Sequence, residues 1–107
     1  MKNRYYIEYG CGMGENSMIV SADNFDIASN FAYEKAIEEY ETFEGLHGIL
    51  DINDVCEEQG IDDVESDEAW EAYREEREYC LEYFTEEFDE TKDEHINTLE
   101  EFGVWEI

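Results

Sequence analysis

The chain has 107 residues, of which 32 are acidic and 6 basic, for a net charge of −26; a small domain usually carries a magnitude of roughly 2–8. With 42% hydrophobic and 15% aromatic residues it has too many apolar side chains for a disordered acidic tail, and its length suits one acidic domain over residues 1–107. The charge argues against direct contact with DNA, RNA or an anionic membrane surface, and no apolar run approaches the ~18–20 residues of a membrane span.

In chain order, Tyr5-Tyr6-Ile7-Glu8-Tyr9 is aromatic and branched and predicts a strand. Gly10-Cys11-Gly12-Met13-Gly14 predicts a flexible turn and Ser17-Met18-Ile19-Val20-Ser21 a second strand, so residues 4–21 read as a hairpin. Asp23 or Asn24 caps a helix whose apolar stripe is Ala28, Phe31, Ala32, Ala36, Tyr40 and Phe43, with Gly45 and Gly48 ending it. Asn53 or Asp54 starts a short helix through Gln59, closed by Gly60. Ser66 opens a longer helix; Asp67 and Glu68 suit its positive end. Its stripe reads Trp70, Tyr73, Arg77, Cys80/Leu81, Phe84 and Phe88, opposite a wall of Glu68, Glu71, Glu75, Glu78, Glu82 and Glu86. Asp93–Phe102 is again helical and ends at Gly103, and Val104-Trp105-Glu106-Ile107 alternates as a strand that joins the hairpin. The fold class is therefore α+β: a small antiparallel sheet, the N-terminal hairpin plus a C-terminal strand, covered by two or three helices.

Most catalytic readings fail on spacing. The glycine-rich turn has Glu15 where a dinucleotide fingerprint needs glycine, and no Gly-Lys-Ser/Thr follows. Asp51-Ile52-Asn53-Asp54-Val55-Cys56 imitates the start of a calcium loop but has Val55 and Cys56 where a ligand and a glycine belong. His47 and His95 read as a turn histidine and a surface helix histidine, not as bases for a cysteine nucleophile. Among 32 carboxylates some pair always sits at glycosidase-like separation, so that signal is empty. The expectation is no enzyme, no cofactor and no metal centre. Cys11, Cys56 and Cys80 are odd in number and unpaired in spacing, which suggests reduced thiols in a cytosol. No apolar signal segment follows Met1-Lys2-Asn3-Arg4.

The acids themselves are the strongest signal. Halophilic proteins spread their acids, whereas 22 of the 32 here fall in residues 51–101, where the net charge is −19. Concentrated charge costs self-repulsion, which points to a use. Acids three or four residues apart on a helix present a row like the phosphates of one nucleic-acid strand. The candidate partner-binding residues are Glu68, Glu71, Glu75, Glu78, Glu82 and Glu86 on the long helix, with Asp62, Asp63 and Glu65 ahead of it. Tyr79 and Tyr83, at the edge of the stripe, are candidates to stand in for bases.

In size, charge and aromatic content the whole chain resembles the DNA-mimic inhibitors of phages and mobile elements, notably anti-CRISPR and anti-restriction proteins. The Glu68–Glu90 run and Asp62-Asp63-Val64-Glu65 carry the resemblance. It implies a monomer or small homodimer in a bacterial cytoplasm, occupying the basic groove of a nucleic-acid-binding protein or nuclease complex. A CRISPR effector is favoured over a restriction enzyme, because a compact domain suits a short strand-binding cleft. An acidic adaptor or chaperone for a basic protein, or a halophilic domain of unrelated function, are the alternatives.

Overall fold

The computed structural model describes residues 2–12, 15–46 and 48–107. Met13 and Gly14 of the expected turn, and the expected turn histidine His47, lie outside the described residues. Strands β1 (Asn3–Gly10) and β2 (Glu15–Ala22) form the expected hairpin, in register from Asn3↔Ala22 to Gly10↔Glu15. Alternation sends Tyr5, Ile7 and Tyr9 to one face with Val20 and Ala22, where helix α1 (Phe25–Phe43) covers them. Asn24 caps α1 by accepting the Ile27 N–H at 3.0 Å. Ala28, Ala32 and Ala36 recur every fourth residue and are fully buried, so small side chains let the helix axis lie close to the sheet.

Helix α2 (Ile52–Gln59) starts earlier than expected, because Asp51 rather than Asn53 or Asp54 is its cap. The Asp51 carboxylate accepts the Asp54 N–H at 2.8 Å and the Asp54 carboxylate accepts the Asp51 N–H at 3.3 Å, a reciprocal capping box. Two carboxylates of the calcium-like segment are thus engaged in capping the start of a helix. Gly60, at φ +70°, closes α2 as expected.

Helix α3 (Asp67–Cys80) is shorter than the sequence predicts, and residues Glu82–Glu87 are strand β3. Phe84 and Phe88, four residues apart, share a face in a helix and in a strand alike, so their spacing cannot choose. Helix would stack Glu78, Glu82 and Glu86 as like charges, whereas the strand pairs with β1 from Tyr5↔Glu87 to Gly10↔Glu82. Tyr83, Phe84 and Thr85 also favour extended backbone. Phe84, expected in the helix core, is consequently 48% exposed, and Trp70, also expected inside, is 48% exposed.

Helix α4 (Asp93–Phe102) ends at Gly103 as expected and leads into β4 (Val104–Glu106). The strand order is β3-β1-β2-β4. The sheet therefore has four strands and is mixed: β4 runs parallel to β2, with Ile19↔Val104 and Ser21↔Glu106. The sequence pattern carried no direction for β4, which is set by α4: that helix packs against β2 and delivers the strand to the β2 edge through the single residue Gly103. The helices number four among the described residues, rather than two or three.

Two core clusters result. One joins the hairpin to α1, and the other gathers Cys11, Tyr40, Ile49 and Tyr73 where α1 meets α2 and α3. Leu81, at the helix-to-strand junction, touches both. The molecule measures 52 × 27 × 16 Å with a radius of gyration of 16.5 Å, against about 13 Å for a compact chain of this length.

Candidate acidic interaction surface

Ser66 builds the start of α3. Its hydroxyl accepts the Ala69 N–H at 3.2 Å and donates to the Asp63 carbonyl at 2.7 Å. Asp67 and Glu68 occupy the first turn, where the helix dipole favours negative charge. Ala69, Ala72 and Tyr73 are buried, which fixes the rotation of the helix. Glu68, Glu71, Glu75 and Glu78 are then all exposed on one side, over about 15 Å of axis at 1.5 Å per residue. Glu78 also accepts the Tyr33 hydroxyl, and that hydrogen bond is the leading cause of the raised Tyr33 pKa.

Asp62, Asp63 and Glu65 are exposed in the turn that leads into this helix. The Asp63 carboxylate accepts the Glu65 N–H at 3.0 Å and so holds the turn. These three acids and the four of α3 are adjacent along the chain, and all seven are exposed. Tyr79, 88% exposed, projects from the same helix.

Glu82 and Glu86 do not extend that row, because they sit on β3. Glu82 lines a cavity of about 300 Å³ with Glu8, Glu15, Leu81, Tyr83 and Phe84. The Glu15 carboxyl is raised above the usual carboxylate range, first by a hydrogen bond with Glu8 and also by Glu8 and Glu82 charge. Glu86 is turned inward. It takes the Lys92 ammonium at 3.0 Å and faces His95 Nε2 at 2.5 Å, and the Lys92 hydrogen bond is the main cause of its lowered pKa.

His95 is not a surface histidine: it is fully buried. It stacks on Tyr6 with ring centroids 4.2 Å apart and lies 5.8 Å from Phe88. The Asp89 N–H donates to Nδ1 at 2.9 Å, which places the ring proton on Nε2, donating to Glu86. Its burial had a readable signal, since His95, Thr98 and Leu99 repeat at helical spacing and Thr98 is buried with it.

Sequence reasoning missed a second acidic groove of about 560 Å³, lined by Asp54, Glu57, Glu58 and Glu76 with Gly48 and Leu50. Glu57 and Glu58 sit on the short α2 and face α3 only in the folded chain. Ion pairs neutralise few of these acids: among the described residues they engage Glu38, Glu41, Glu86 and Glu106 alone. The described residues contain no cluster of three or more His, Cys, Asp or Glu arranged to hold a metal ion. Comparisons with protein-family models, curated proteins and solved structures find no match for this chain.

Proposed function

We propose that the protein is an acidic nucleic-acid mimic that occupies the basic DNA- or RNA-binding groove of a bacterial defence nuclease complex, a CRISPR effector rather than a restriction enzyme. The observation that supports this reading is the exposed row Glu68, Glu71, Glu75 and Glu78 on a capped helix, continued by Asp62, Asp63 and Glu65 and left without cationic partners among the described residues. Such a row supplies the sequence-independent, phosphate-like part of nucleic-acid affinity and no base readout. Long-range attraction steers it to a basic groove, and the folded helix then blocks the natural ligand. The protein acts in the bacterial cytoplasm as a monomer or small homodimer, with no enzymatic step and no cofactor.

The test is a panel of CRISPR effectors and restriction enzymes, each bound to its labelled nucleic acid and challenged with this protein. Wild type displaces the nucleic acid from one of them, and less so as salt rises. Replacing Glu68, Glu71, Glu75 and Glu78 together by Gln removes four charges with little change in helix propensity. That variant should associate far more slowly. A folded quadruple variant that displaces nucleic acid as well as wild type overturns mimicry through α3.

A further inference from the structure

The two edges of the sheet differ. β4 is three residues long, and Lys2 closes its end by donating to the Ile107 carbonyl at 2.6 Å. β3 is six residues long and open. Its hydrogen-bond phase follows from one bond: the Phe88 N–H donates to the Arg4 carbonyl at 3.1 Å. Antiparallel pairs alternate between bonded and non-bonded, so Tyr6↔Glu86, Glu8↔Phe84 and Gly10↔Glu82 are the bonded pairs. Tyr83, Thr85 and Glu87 therefore aim their N–H and C=O groups away from β1. Among the described residues, no hydrogen bond reaches these outward groups. Tyr83 and Phe84 are each 48% exposed, on opposite faces of the strand.

We propose that the β3 edge is a docking site for a basic, extended polypeptide segment of a protein partner, which adds as a fifth strand beside Tyr83, Thr85 and Glu87. A second copy of this chain is the wrong occupant. A copy brings the same net charge of −26 to an edge that already carries Glu82, Glu86 and Glu87, and like charges repel it. A segment alternating Lys or Arg with apolar residues meets the opposite situation. Its cations lie on the face of Glu82, its apolar side chains cover Tyr83 on the opposite face, and its backbone completes the open ladder. The cavity at the start of the edge adds carboxylates from β1, β2 and β3, namely Glu8, Glu15 and Glu82. Their crowding raises the Glu15 pKa, first through Glu8, and an arriving cation relieves the repulsion. This edge is separate from the α3 row, so it survives in the four-Gln variant.

The probe is a synthetic peptide of about eight alternating Lys and Val residues, long enough to span β3. Its control carries N-methyl groups on every backbone nitrogen, which keep every charge and remove strand addition. The unmodified peptide should bind at least about tenfold more tightly than the control. It should also slow amide exchange at Tyr83, Thr85 and Glu87. Thr85→Pro removes an outward N–H without touching the β1 ladder and should abolish the preference. Equal binding of the two peptides, no binding, or protection confined to α3 overturns the proposal. Should Thr85→Pro fail to fold, the peptide pair on wild-type protein still decides.

Discussion

At the scale of single residues, buried polar groups carry the sharpest expectations. His95 joins Tyr6, Phe88, Glu86 and the Asp89 N–H in one knot beneath the sheet. His95→Ala opens a cavity and leaves that N–H and Glu86 without their ring partner, so it should cost about 3 kcal/mol in chemical denaturation. A loss below about 1 kcal/mol would mean the knot is not structural. Thr85 has the opposite character, since its hydroxyl is buried with no hydrogen-bond partner. Thr85→Val removes an orphan donor, and its stability should equal or exceed that of wild type, by up to about 1 kcal/mol. Tyr6, Tyr40 and Tyr73 all titrate well above the ordinary value of 10.0, chiefly because burial disfavours the phenolate. A raised acid pKa makes the folded state hold its proton more tightly than the unfolded one. This contribution to stability is complete below about pH 10 and is lost as pH rises beyond it. Tyrosinate absorbance and circular dichroism should therefore show these three rings ionising only as the fold is lost. Normal titration near pH 10 with the fold intact contradicts their burial.

At the scale of elements, the segment from Tyr79 to Glu87 shows what the sequence could and could not express. The hairpin, α1 and the end of α4 were legible because local signals agreed: alternation in Tyr5–Tyr9, the fourfold alanine repeat, and glycine at position 103. The spacing of Phe84 and Phe88 suits a helix and a strand alike, and the choice fell to β1, an open strand edge some 75 residues away that no local window contains. The acidic row on α3 was legible for the same local reason as α1, since Ala69, Ala72 and Tyr73 fix the helix rotation. Glu82 and Glu86 left that row when the helix stopped, and the groove of Asp54, Glu57, Glu58 and Glu76 required knowing that α2 lies against α3. Leu81 is where both cores meet, so Leu81→Ala should cost about 2 kcal/mol. Tyr79, 88% exposed and two residues earlier, should cost less than about 0.5 kcal/mol when replaced by Ala. Equal losses at the two positions would contradict the helix ending at Cys80.

At the scale of the whole molecule, shape and charge belong together. A radius of gyration of 16.5 Å on a chain of 107 residues spreads the net −26 over a longer body than a compact sphere would. Each acid is thereby moved farther from most of the others. The spreading is incomplete, because residues 51–101 alone carry −19, and two of their acids face each other across the α2–α3 groove at Glu58 and Glu76. Repulsion within the folded chain exceeds that in the more expanded unfolded chain, so anything that screens charge favours folding. The Debye length falls from about 30 Å at 0.01 M to about 8 Å at physiological ionic strength and about 3 Å at 1 M. Most of the relief should therefore come below a few tenths molar. The melting temperature should rise steeply with the first additions of NaCl and then flatten. Sodium sulfate, which also strengthens apolar burial, should continue to raise it where NaCl no longer does. The four-Gln variant of α3 has less repulsion to relieve, so it should melt higher than wild type at low salt and converge with it at high salt. A melting temperature that is flat or falling with NaCl, in either protein, would show that the acids are already neutralised in the folded state and that the exposed carboxylate row is not the source of the molecule's field.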